Sequence, residues 1–88
     1  MTKQHRYLYE RYLRSNEYSL GDAYTRYSTK KRDAWDRCRA LCYQKHGTGL
    51  RIVSHNGYVF SAGFLFVENG KKKMMYITKY GTEEFEVD

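Results

Sequence analysis

The chain contains no proline. Helices and strands can therefore run without the fixed φ and missing N–H that proline imposes, and turns fall to other residues, above all Asn-Gly pairs. Cysteine is scarce too: two in 88 residues, too few for a disulfide framework. No apolar run approaches the roughly 20 residues that a membrane-spanning helix needs, and the longest apolar-rich stretch is Tyr58–Val67. No apolar run of the signal-peptide kind follows the N-terminal Met-Thr-Lys-Gln-His-Arg-Tyr. These absences set the expectation of a soluble, cytoplasmic protein in a reducing compartment, with no membrane contact.

Aromatic residues are plentiful. Ten Tyr, four Phe and one Trp supply the large buried areas that let a domain this short close a core. The expected organisation is one domain over residues 1–88, with a helical half (1–46) and a β-meander (50–88). Charge follows the same division. Residues 1–46 hold eleven Lys/Arg and five Asp/Glu, a balance of +6, while residues 47–88 hold five of each. Such asymmetry points to an anionic partner, either nucleic acid or an acidic protein surface.

The stretch Tyr58-Val-Phe-Ser-Ala-Gly-Phe-Leu-Phe-Val67 alternates large and small residues between Asn56-Gly57 and Asn69-Gly70. That is the signature of a strand with a hairpin at each end. Tyr58, Phe60, Ala62, Phe64 and Phe66 share one face, which must be covered. A three-residue turn through His55-Asn56-Gly57 would pair Ile52 with Phe60 and Leu50 with Ala62. A two-residue turn at Asn69-Gly70 pairs Glu68 with Lys71, Phe64 with Met75 and Ala62 with Ile77. A turn through Tyr80-Gly81-Thr82 would pair Ile77 with Phe85 and Met75 with Val87, placing all these apolar residues on one side.

Residues 3–14 read as a first helix from the four-residue spacing of Leu8 with Tyr12 and Tyr9 with Leu13. Residues 17–27 have no clear period and read as an ordered connection, with a helical turn near Leu20–Tyr24. A second helix starts at a Ser28 or Thr29 cap and ends at His46-Gly47, with Gly47 available for the left-handed position. Its stripe is Ala34, Trp35, Cys38, Leu41 and Cys42. The expected fold class is α+β: two N-terminal helices packed on one face of a three- to four-stranded antiparallel β-meander. The second sheet face would then carry Val53, Val59, Leu65, Val67, Met74 and Tyr76, less polar than open solvent favours. Either the first helix crosses to cover it, or it is a protein interface, such as a homodimer contact.

No residue set has the spacing of a catalytic or metal site. Cys38, Cys42 and His46 lie at i, i+4 and i+8 on one helix, so the outer two are about 12 Å apart along the axis at ~1.5 Å per residue. No second ligand cluster completes them. His46, His55, Asp22, Ser54 and Cys42 form no nucleophile–base–orienter set. The expectation is a non-enzymatic protein without metal or cofactor.

Basic residues interleave with tyrosines through the helical half: His5, Arg6, Tyr7, Arg11, Arg14, Tyr24, Arg26, Tyr27, Lys30, Lys31 and Arg32. Cations pair with phosphates and rings stack on bases. Lys30, Lys31 and Arg32 stand at a helix N-terminus, where the dipole already favours an anion. Lys71, Lys72 and Lys73 would form a second cationic tip. The candidate nucleic-acid-binding set is therefore Arg6, Arg11, Arg14, Arg26, Lys30, Lys31, Arg32, Tyr24 and Tyr27. The expected partner is nucleic acid or a nucleic-acid-associated protein, without sequence-specific readout.

The pattern Tyr18-Ser-Leu-Gly-Asp-Ala-Tyr24, Ser28, Lys31, Ala34-Trp35, Cys38, Phe60-Ser-Ala-Gly-Phe64 and Tyr76-Ile-Thr-Lys79 resembles small phage- and plasmid-borne accessory proteins of Gram-positive bacteria. That group includes anti-CRISPR and other anti-defence inhibitors. The resemblance implies a module of a mobile genetic element. It also implies, as an alternative to nucleic-acid contact, a protein-binding inhibitor that uses the Tyr18–Tyr27 connection and the second sheet face. The basic balance argues against nucleic-acid mimicry, for which inhibitors are acidic.

Overall fold

The computed structural model describes residues 2–15, 29–55, 60–78 and 80–87, without the side chains of residues 29–32, 54, 55 and 60. Helix α1 (Lys3–Arg14) is followed by α2 (Thr29–Gln44) and by strands β1 (Thr48–His55), β2 (Phe60–Glu68), β3 (Lys71–Thr78) and β4 (Gly81–Glu86). The strands form one antiparallel sheet in the order β1-β2-β3-β4, so the α+β meander is as expected. The 16–28 connection, including its expected helical turn, and the turn at residues 56–59 lie outside the described residues.

The helices occupy opposite faces of the sheet, which corrects the expectation that both share one. Ala34, Trp35 and Cys38 of α2 pack on Ile52, Ala62, Phe64, Phe66, Met75 and Ile77, with Leu41, Cys42 and Leu50 at the margin. Leu8 and Tyr12 of α1 pack on Met74, Tyr76, Phe85 and Val87, with Tyr9, Val53 and Leu65 beside them. The architecture is three-layered, helix–sheet–helix.

The register explains why. At the central hairpin Glu68 faces Lys71, Phe64 faces Met75 and Ala62 faces Ile77, as expected from a turn with Asn69 and Gly70 both at positive φ (54° and 76°). At the last hairpin Thr78 faces Gly81, so the turn is one residue shorter than expected and Phe85 faces Met74. The offset from the expected pairing is an odd number of residues, which moves Phe85 and Val87 to the α1 face. Those two residues complete a second core. At the first hairpin Ile52 faces Ala62 rather than Phe60, with irregularities on either side. That offset is even, and Ile52 stays on the α2 face.

Caps close both helices. Thr2 Oγ1 accepts a hydrogen bond from the His5 N–H at 3.1 Å, satisfying one unpaired donor of the first turn of α1. At the end of α2, the Gly47 N–H donates to the Cys42 carbonyl (2.8 Å) and that of His46 to the Tyr43 carbonyl (3.2 Å). His46, not Gly47, takes the left-handed conformation (φ 54°). Gly47 is needed for a different reason: a Cβ there would strike the Phe64 ring and crowd the Leu65 carbonyl.

Candidate nucleic-acid interface

The inner and outer faces of α1 differ sharply. Inward, Tyr12 is 1% exposed, its hydroxyl donates to the Gly49 carbonyl, and the Arg51 guanidinium lies 4.9 Å from its ring centroid. Arg51 also donates to the carbonyls of Tyr12 (3.2 Å) and Ser15 (3.5 Å), a cation at the end of the helix where free carbonyls carry partial negative charge. At the other end, His5 Nε2 sits 2.7 Å from Glu83 Oε1 and its ring stacks on Phe85 at 4.2 Å. These contacts lay α1 across the sheet, its start on β4 and its end on β1. His5 is therefore a docking residue of the helix.

Outward, Arg6 and Arg14 are exposed and Arg11 half-buried, with Arg11 5.6 Å above the Tyr7 ring. Lys3 is exposed on the same helix, and Glu10 is its only acidic residue. Among the described residues, no carboxylate pairs with Lys3, Arg6, Arg11 or Arg14. Lys3 to Arg14 spans about 16 Å at ~1.5 Å per residue.

The lysines of the sheet behave differently. Lys71 pairs with Glu86 (3.3 Å), and Lys73 with Glu84 (3.0 Å) and Glu68 (3.4 Å). Lys45 joins the same group at 3.0 Å from Glu68. Hydrogen bonds from Lys45 and then Lys73 hold the Glu68 carboxyl below its usual range. Glu84, first, keeps the Lys73 ammonium protonated to higher pH. The expected cationic tip is thus largely neutralised within the fold.

The remaining candidates divide as follows. Lys30, Lys31 and Arg32 lie in the first turns of α2, and Tyr24, Arg26 and Tyr27 outside the described residues. Of the second-face residues, Met74 and Tyr76 are buried beneath α1, Val53 and Leu65 half-buried beside it, and Val67 exposed, while Val59 lies outside the described residues. Cys38 and Cys42 are free thiols. Burial pushes Cys38 up to about 12, with Cys42 adding to the effect, so it is a protonated core residue. Among the described residues no group of three His, Cys, Asp or Glu could hold a metal ion, and no helix is long and apolar enough to cross a membrane.

Tyr80, which sequence patterning does not single out, is 87% exposed on the rim of a groove between α1 and the β3–β4 turn. Its position becomes readable only with the shorter turn that faces Thr78 with Gly81. Neither protein-family models, nor curated proteins, nor solved structures match this chain.

Proposed function

We propose that the chain is a non-enzymatic nucleic-acid-binding module whose contact surface is the outer face of α1, continued by the other cations of the helical half. The observation that carries this reading is the contrast in pairing. Lys71 and Lys73 are tied to carboxylates of their own sheet, whereas Arg6, Arg11 and Arg14 meet none among the described residues. Guanidinium groups that meet no carboxylate among the described residues, beside a ring that can stack, suit a polyphosphate backbone. The resemblance to phage- and plasmid-borne proteins adds service to a mobile genetic element to the proposal. The other reading, an inhibitor that grips a host defence protein with the second sheet face, loses Met74 and Tyr76 as contact residues because α1 covers them.

The test is binding of labelled DNA and RNA, followed by anisotropy across a salt series. Affinity should fall with salt with a logarithmic slope of about −2 to −3 for three neutralised phosphates, at ~0.7–0.9 for each. Absence of binding at low salt, or binding indifferent to salt, overturns the proposal.

A further inference from the structure

Tyr12 and Leu8 mark the inner side of α1, where both are buried. At ~100° per residue around the axis, Lys3, Glu10 and Arg14 all fall within about 20° of the line opposite Tyr12. They form the outer crest of the helix, and all three are exposed. Arg6 and Arg11 stand on opposite flanks of that crest, roughly 140° apart. Arg11 lies 5.6 Å above the ring of Tyr7 on its own flank. The outer half of α1 thus carries a cation on each flank, a cation at each end and one carboxylate on the crest between them. Glu10 has the spacing to pair with Arg6 (i, i−4) or Arg14 (i, i+4), yet among the described residues it forms an ion pair with neither.

From this layout we infer that α1 enters the major groove of duplex DNA. Arg6 and Arg11 meet phosphates of opposite strands, Arg14 meets one where the helix leaves the groove, and Glu10 faces the floor. This rests on the nucleic-acid reading above and narrows it to B-form duplexes. The major groove is about 12 Å wide and admits a helix of about 10–12 Å diameter. Its two walls are phosphate backbones, and guanidinium groups on the two flanks of one helix match them. Its floor carries base edges, where the cytosine N4 amino group donates to a carboxylate. Phosphates repel Glu10, whereas that amino group accepts its company, so the carboxylate sets which side of the helix turns to the bases. Other forms fit worse. A single strand has one backbone, which reaches both flanks only by passing Glu10. The major groove of A-form RNA is too deep and narrow for side chains to read, and the minor groove of B-DNA, about 6 Å wide, does not admit a helix.

The experiment compares a short labelled DNA duplex with the RNA duplex and the DNA single strand of the same sequence, at one salt concentration. Wild type should bind the DNA duplex most tightly. A DNA duplex whose pyrimidines carry a bulky group at C5, which projects into the major groove, should bind no better than the RNA duplex. Wild type should also favour a G·C-rich over an A·T-rich DNA duplex by about 5- to 150-fold, the range for one good base contact, and Glu10→Ala should erase that preference. Equal binding to blocked and unblocked duplexes, tightest binding to RNA or to the single strand, or a base preference that is absent from wild type or survives in Glu10→Ala overturns this inference. In each of those cases salt-dependent binding still supports the wider reading. If wild type binds no form, the wider reading fails and this one with it. Glu10 is exposed, so an unchanged circular dichroism spectrum and melting curve should confirm that the variant folds, and the blocked-duplex comparison uses wild type alone.

Discussion

On the face beneath α2 the buried side chains of the sheet are all apolar, and Trp35, Cys38, Phe64 and Ile77 fill the space with almost no exposed area. On the face beneath α1 the same strands present Ser61, Gly63, Met74 and Tyr76, and the helix is held by directed contacts as well as by area: the Tyr12 hydroxyl on Gly49, Arg51 on the last carbonyls, His5 on Glu83. Two helices thus dock on one sheet by different balances of forces. The first is secured by volume and tolerates little loss of it. The second needs close approach, which small residues permit, and turns outward cations that meet no carboxylate among the described residues.

This contrast can be broken most forcefully at Trp35. Trp35→Ala should cost about 3–5 kcal/mol, comparable to the whole stability of a small domain, and urea unfolding followed by circular dichroism should show little or no cooperative transition. A retained transition near the wild-type midpoint would mean that α2 is not held by volume. On the other face the damaging change is an addition. A Cβ at Gly63 would lie 2.9 Å from the Met75 carbonyl and 3.0 Å from Met74 Cε, so Gly63→Ala should cost about 1–3 kcal/mol by overpacking, read from the same denaturation midpoint. A neutral result would show that β3 and the Met74 side chain yield to the added methyl group.

Smaller effects sharpen the picture. Tyr12→Phe keeps the ring and removes the hydroxyl that donates to Gly49, and should cost about 0.5–1.5 kcal/mol, with local loosening of α1 visible in amide exchange. The Cys38 thiol, raised to about 12 by burial, stays protonated in the folded chain at pH values where an unfolded cysteine ionises, above about 8.5. The unfolded state then binds fewer protons than the folded one, so this group makes stability fall as pH rises from about 8.5 toward 12. Cys38→Ala should flatten that alkaline slope in denaturant titrations. Native Cys38 should also resist alkylation until the chain unfolds.

The parts of the molecule legible in the sequence are those where one local rule decides the outcome. Asn69-Gly70 specifies a two-residue turn, and the β2–β3 register follows from it; the apolar stripe from Ala34 to Cys42 specifies the inner face of α2. The last hairpin was not legible, because Tyr80-Gly81-Thr82 is compatible with two turn lengths, and the difference decides whether Phe85 and Val87 join one core or complete another. With them on the α2 face, the second face looks like an interface; with them on the α1 face, it becomes a core that α1 closes. The candidate site was legible as composition only. That Lys71 and Lys73 are neutralised depends on β4 placing Glu84 and Glu86 beside them, and that the α1 arginines meet no carboxylate among the described residues depends on the direction in which the helix is turned.

The contrast between the sheet lysines, which are paired, and the α1 arginines, which meet no carboxylate among the described residues, is tested most directly by comparing salt slopes of nucleic-acid binding for two variants with wild type. Arg6→Gln/Arg11→Gln/Arg14→Gln should reduce the magnitude of the slope by about 2–3, at ~0.7–0.9 for each phosphate that is no longer neutralised, with the fold intact by circular dichroism. Lys71→Gln/Lys73→Gln should leave the slope unchanged, because these lysines are already occupied by Glu68, Glu84 and Glu86. Equal reductions in the two variants, or a reduction confined to the sheet lysines, would contradict the account.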